Sequence, residues 1–167
     1  MKIVTVIIFI LIFNKPGWIQ KSAGQEITFI KVPELERILN KPDDKLYVLN
    51  FWASWCGPCV EELPYFEKIA GTVDTTKVEF LFISLDFPSQ VENKLKPFLK
   101  KNNINIKVAV MMDLDYNTWV HKVDPDWQGN LPATLFFNNN RKIKVFRPES
   151  LEETQLKDLL VSLVYNL

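Results

Sequence analysis

Cys56 and Cys59 are the two cysteines of this 167-residue chain, set in Trp55-Cys56-Gly57-Pro58-Cys59. The run before them, Leu46 to Trp52 (Leu-Tyr-Val-Leu-Asn-Phe-Trp), is nearly all apolar and suits a strand buried on both faces. After them, from about Gly57 to Gly71, Leu63, Phe66, Ile69 and Ala70 keep helical spacing. The pair therefore joins a buried strand to a helix N-terminus. Unpaired backbone N–H groups and the helix dipole favour an anion there, which lowers the pKa of a thiol. Cys56 is expected to be exposed and nucleophilic. Cys59, one turn later on the apolar face with Leu63 and Phe66, is expected to be shielded and resolving. Pro58 stiffens the first turn.

Other readings of the pair differ in what they demand. A structural disulfide between residues three apart closes a very small loop and gains roughly 2 kcal/mol in the chain-entropy picture, a weak staple. Structural zinc wants four ligands, and the chain offers two cysteines and one histidine. A two-thiolate copper(I) site stays open as an alternative.

The elements that must position the pair follow from periodicity and turn signals. Ile27 to Val32 reads as a short strand and Pro33 to Asn40 as a helix with proline in its first turn. The Gly57–Gly71 helix carries Pro64, where a bend is expected. Val78 to Leu85 reads as a second buried strand, Ser89 to Asn102 as a helix, Ile106 to Met112 as a strand and Asp115 to His121 as a short helix. Ala133–Asn138 and Lys142–Phe146 flank Asn138-Asn139-Asn140, a hairpin signal. Ser150 is expected to cap the last helix, with Glu153 completing a capping box and Leu156, Leu159, Leu160 and Leu163 forming its stripe. Alternating strands and helices followed by a hairpin predict an α/β domain: a central mixed sheet with helices on both faces.

Residues 3 to 13 are apolar except Thr5, and Lys2 precedes them. Eleven helical residues reach roughly 17 Å, against roughly 30 Å for a bilayer core. That length fits a signal peptide, with cleavage expected after Gly24; an uncleaved N-terminal anchor is the alternative. The expected division is residues 1–24 as signal peptide or anchor and 25–167 as one domain. Removing 1–24 leaves 17 of the 20 basic residues against 20 acids, a net charge of −3. The balanced charge gives no electrostatic case for nucleic acid. Export places both cysteines where disulfides persist.

Asn50-Phe51-Trp52-Ala53-Ser54-Trp55-Cys56-Gly57-Pro58-Cys59 and Leu131-Pro132-Ala133-Thr134 resemble the thioredoxin superfamily, most closely its exported TlpA-like and ResA-like branch. With the element order, the resemblance covers nearly all of residues 27 to 165. It implies a thioredoxin-like fold with a helix–strand insertion, Ser89 to Met112, before a cis-proline at Pro132. It implies a substrate groove shaped by Pro132, with Leu131 offering backbone groups to an incoming strand. Trp55, beside the nucleophile, is expected to line that groove with Gly57 and Pro58. Thioredoxin proper has a buried aspartate where this chain has Asn50, which cannot accept a proton near neutral pH. The TlpA-like branch instead carries an acid three residues after the second cysteine, here Glu62. Set against apolar surface, it should have a raised pKa suited to proton transfer with Cys59.

The resemblance implies a protein-disulfide oxidoreductase, with the Gly-Pro pair favouring reduction. Partners would be protein disulfides or dithiols and a membrane electron donor. No metal and no cofactor is expected, and the membrane enters only through the N-terminal segment. Rivals are an oxidase or isomerase on the same site, a copper(I) or thiol-sensing module, and a thiol peroxidase. The last lacks its Pro-x-x-x-Thr-x-x-Cys pattern at Trp52 to Cys56. His121 reads as a helix-end or surface residue. Trp52 reads as core, and Trp119 and Trp127 as core or groove edge.

Overall fold

In the computed structural model, which describes residues 27–165, all seven residues of Leu46–Trp52 (β2) are buried. The expected leader, residues 1–24, lies outside the described residues. β2 is central in a six-stranded sheet ordered β1-β4-β3-β2-β5-β6, built from Ile27–Ile30, Lys107–Met111, Val78–Ser84, β2, Ala133–Asn138 and Ile143–Arg147 respectively. β1, β4, β3 and β2 run parallel, while β5 and β6 are antiparallel to their neighbours. The strands end near Trp52, Ser84 and Met111, so the loops after β2, β3 and β4 all open on one edge of the sheet.

Alternation along each strand sorts the core into two layers. Val48, Trp52, Phe82, Val110 and Phe136 face one side. There they meet Leu63 and Phe66 of α2 (Gly57–Ala70), Leu99 of α3 (Lys96–Lys101) and Leu156 and Leu160 of α5 (Glu153–Tyr165). Leu49, Phe51, Ile83, Met111 and Leu135 face the other side, where they meet Leu35 of α1 (Val32–Leu39) and Val120 and Val123 of α4 (Val120–Val123). Trp119 and Trp127 are both buried in this second layer, packed on Phe51 with centroids 6.0 and 4.8 Å away. They are core. The mixed sheet with helices on both faces is as the sequence predicts, and the helix–strand insertion is α3 with β4.

Three local expectations fail for identifiable reasons. The stretch expected as one helix, Ser89–Asn102, is a 3₁₀ turn at Pro88–Gln90, a π-helical turn at Val91–Leu95 and then α3. Pro97 has no N–H to give the carbonyl four residues earlier, and the wider turn accommodates the loss. The Asp115–His121 helix divides into a 3₁₀ turn at Tyr116–Thr118 and α4, broken at Trp119, whose φ is −143°. The indole N–H of Trp119 instead donates to the carbonyl of Asp113 at 3.0 Å.

The last helix starts at Glu153 rather than at a Ser150 cap. Ser150 turns its hydroxyl to Glu62 at 3.3 Å, and the Leu151 N–H donates to the same carboxylate at 2.8 Å. The Gln155 side chain accepts from the Glu152 N–H at 2.8 Å, so the reciprocal contact of a capping box forms two residues later than the sequence suggests.

Phe66 joins α2 to the sheet, fully buried with edge contacts to Phe80 and Phe82 at 6.4 and 5.9 Å. Phe66→Ala is expected to cost about 3–5 kcal/mol. Urea unfolding would show it as a lowered midpoint with little change in slope.

Candidate active site

β2 ends at Trp52, and a tight turn closed by the Cys56 N–H donating to the Ala53 carbonyl at 3.1 Å leads into α2. Cys56 is the N-cap of α2, with extended backbone at φ −89° and ψ 105°. Its sulfur accepts the Cys59 N–H at 3.3 Å, so a free amide of the first helical turn points at it. No acidic residue sits in the first turn of α2 to offset the positive helix end. Cys56 and Cys59 form a disulfide with Cα atoms 5.2 Å apart.

Exposure corrects one expectation. Cys56 is only 7 % exposed and Cys59 is 0 %. The order of access is as expected, but the first sulfur is tucked over the helix end because it is bonded to a buried partner. Trp55, at 59 % exposed, stands out in solvent beside it, and Gly57 and Pro58 are exposed as well. A side chain at position 57 would meet nothing within 4 Å, so Gly57 leaves the approach open.

The Leu131–Pro132 bond is cis, as the resemblance implies. Pro132 is buried, and Ala133 after it pairs with Phe51, which places Leu131-Pro132 alongside the end of β2. Upstream, Gly129 takes φ +84°, which favours glycine. The Trp127 indole donates to the Asn130 carbonyl at 3.0 Å, and the Asn130 amide donates to the Pro148 carbonyl at 2.6 Å. The loop bearing the cis-proline is thus anchored to the aromatic core and to the segment after β6.

Glu62 is 1 % exposed, one turn after Cys59 on the same helix. Its Oε1 accepts the Asn50 amide at 2.8 Å, and its Oε2 accepts the Leu151 N–H at 2.8 Å and the Ser150 hydroxyl at 3.3 Å. Burial pushes its carboxyl above the ordinary glutamate range, and these bonds draw it part of the way back. Asn50 also donates to Thr134 Oγ1 at 3.0 Å, while its own Oδ1 is buried without a partner. Asn50, Glu62 and Thr134 thus form a hydrogen-bonded polar cluster in the buried interior.

Sequence reasoning missed a second buried acid. Asp86 is 0 % exposed and accepts from the Ser54 N–H at 3.0 Å, the Ser54 hydroxyl at 2.5 Å and the Ser84 hydroxyl at 2.8 Å. The signal available was an aspartate directly after a buried strand whose neighbour delivers the cysteines. Three large apolar side chains, Phe87, Leu114 and Tyr116, are exposed in the loops after β3 and β4, on the same edge as Trp55. Partial burial of the ring, with a smaller contribution from the Asp86 carboxylate, pushes the Tyr116 phenol up. His121 is an exposed helix-end residue, 3.1 Å from the Pro125 carbonyl. Among the described residues no cluster of three or more His, Cys, Asp or Glu could hold a metal.

The AhpC/TSA family profile matches residues 25–146. Sporulation thiol-disulfide oxidoreductase A of Bacillus subtilis (strain 168) is 21 % identical over 90 % of this chain and 93 % of its own. The thiol-disulfide oxidoreductase ResA of Bacillus cereus is 32 % identical over 64 % of this chain and 58 % of its own. The chain spans about half the length of others among the curated relatives it matches. In fold it is similar to a thioredoxin-related protein from Neisseria meningitidis serogroup B, with TM-score 0.63, 22 % identity and coverage of 75 % of this chain and 88 % of that one. With a cysteine pair at a helix N-terminus and a cis-proline level with the end of the preceding strand, this chain belongs to the AhpC/TSA family of the thioredoxin superfamily.

Proposed function

We propose that this chain is an exported enzyme that reduces disulfides in protein partners through the Cys56/Cys59 dithiol. The observation that carries the reading is the sulfur of Cys56 at the N-terminus of α2, taking the Cys59 N–H, with its partner sulfur buried behind it. In the reduced chain, the Cys56 thiolate attacks one sulfur of the substrate disulfide. A mixed disulfide forms and the other substrate sulfur leaves as a thiolate. Cys59 loses its proton to the Glu62 carboxylate and attacks the Cys56 sulfur, releasing the second substrate thiolate. Two electrons pass to the substrate, its two thiolates take up protons, and the enzyme is left as the disulfide. Regeneration needs two electrons from a dithiol donor, which for an exported chain points to a membrane protein.

Substrate binding falls to groups around the opening. Trp55 supplies an apolar contact, Gly57 and Pro58 leave the approach clear, and Leu131 beside Pro132 offers its backbone to an extended segment. Export rests on the apolar run at residues 3–13. Among the described residues no helix is long and apolar enough to cross a membrane.

Cys59→Ser should stall the mixed disulfide on Cys56, so that substrate proteins co-purify and are released by dithiothreitol. Recovery of no disulfide-linked protein from cells would count against a protein substrate. In a glutathione redox titration the wild-type pair should settle at a reducing potential, near that of thioredoxin and well below that of a strong oxidant such as DsbA. An oxidising value would favour the oxidase reading. Rapid peroxide consumption would favour the peroxidase reading.

Glu62 gives a pH signature with a fixed sign. Its folded-state pKa is raised, so the folded chain holds the proton more tightly than the unfolded chain. The associated stability is fully present below the ordinary value of 4.5 and is lost as pH rises through the raised value. Urea midpoints between pH 4 and 8 should therefore fall with rising pH relative to Glu62→Gln. The same variant should slow the Cys59 step by about 10²-fold. Its rate should also lose the inflection that Glu62 deprotonation gives the wild type.

A further inference from the structure

Asp86 takes no part in the proton or electron steps above, yet it is the most fully enclosed acid beside the reactive loop. It follows Leu85, whose N–H donates to the Trp52 carbonyl at 2.8 Å and joins β3 to the last residue of β2. None of the ion pairs among the described residues includes Asp86. A buried carboxyl without a cation is costly unless hydrogen bonds compensate it. Of the three it accepts, one comes from Ser84, the last residue of β3, and two come from Ser54.

Ser54 is the second residue of the turn closed between Ala53 and Cys56, and Trp55 is the third. Both donors of Ser54, backbone and hydroxyl, are fixed by one carboxylate. The peptide unit entering Ser54 and the Ser54 side chain, one residue before Trp55, are therefore held from the end of β3, whereas the indole itself is 59 % exposed. A turn without such support would let the backbone carrying Trp55 move, and that freedom would be lost on binding substrate.

We propose that Asp86 is a positioning residue that holds Ser54 so that Trp55 is presented, already oriented, to the polypeptide carrying the substrate disulfide. The inference rests on the proposed reduction of protein disulfides and deepens it: Asp86 governs capture of a polypeptide and leaves the sulfur chemistry alone. A small disulfide, with no polypeptide flanking its sulfurs to rest on the indole, should register it far less.

The test compares insulin with 2-hydroxyethyl disulfide as substrates of the full chain. Asp86→Ala is expected to raise KM for insulin about fivefold, with kcat and the rate on the small disulfide within about twofold of wild type. Asp86→Asn, which keeps the shape and an acceptor for the Ser54 N–H, should recover most of the loss. In a Trp55→Ala background, Asp86→Ala should add nothing further, because its effect runs through that indole. If Asp86→Ala does not fold, Ser54→Ala carries the test in the same direction, since it removes the 2.5 Å hydroxyl contact. An unchanged KM, an equal loss on both substrates, or full additivity with Trp55→Ala would overturn the proposal. If the wild-type chain reduced neither substrate, the parent reading would fall and this one with it.

Discussion

Helix α2 starts with an amide aimed at a sulfur, and most of the molecule is arranged to keep that start in place. β2 must be buried on both faces to stop at a defined height, and all seven of its residues are. β3 must stay paired with β2 to its end, which the Leu85-to-Trp52 bond secures. The antiparallel β5 must set Pro132 level with the end of β2, and the pairing of Ala133 with Phe51 does so. A loop alone could not supply this precision. Helix N-terminal amides act over about one turn, so a displaced α2 would leave Cys56 with ordinary thiol chemistry.

The two buried acids sit in different surroundings. Glu62 lies between α2, the Asn50 side chain of β2 and the segment before α5, and its partners are all neutral. Neutral donors stabilise a carboxylate less than a cation would, so burial wins and the group holds its proton to higher pH. Asp86 lies at the end of β3, and its oxygens are occupied by the hydroxyls of two serines and a backbone N–H. The first arrangement suits a group that exchanges a proton, the second a group that holds a loop.

Much of this is legible in the sequence because strong signals are local. The runs at Leu46–Trp52 and Val78–Leu85 could only be buried strands, and the cysteine spacing carries its own chemistry. The misreadings come where a distant partner outcompetes a local rule. Ser150 and Glu153 look like a capping box, but a carboxyl 88 residues away along the chain takes the Ser150 hydroxyl. Ser89 to Asn102 has helical periodicity, but Pro97 removes one N–H and the turn before it widens. Asp86 is invisible for the same reason, because nothing near it in sequence indicates that its oxygens go to Ser54, 32 residues back. Cys56 reads as exposed because nucleophiles need access, but bonded to a fully buried partner it is only 7 % exposed.

Asn50 and Glu62 are best understood together. Their side chains are 2.8 Å apart, with the amide donating to the carboxylate. An aspartate at position 50 would put two carboxylates in contact in a buried site, where only one could ionise and the pair would share a proton. Asparagine removes that conflict and supplies a donor instead, at the cost of its own Oδ1 left buried and unpartnered. An orphaned carbonyl oxygen of this kind costs about 1–3 kcal/mol. That cost leaves a single titratable group in this buried cluster, on the helix that carries Cys59.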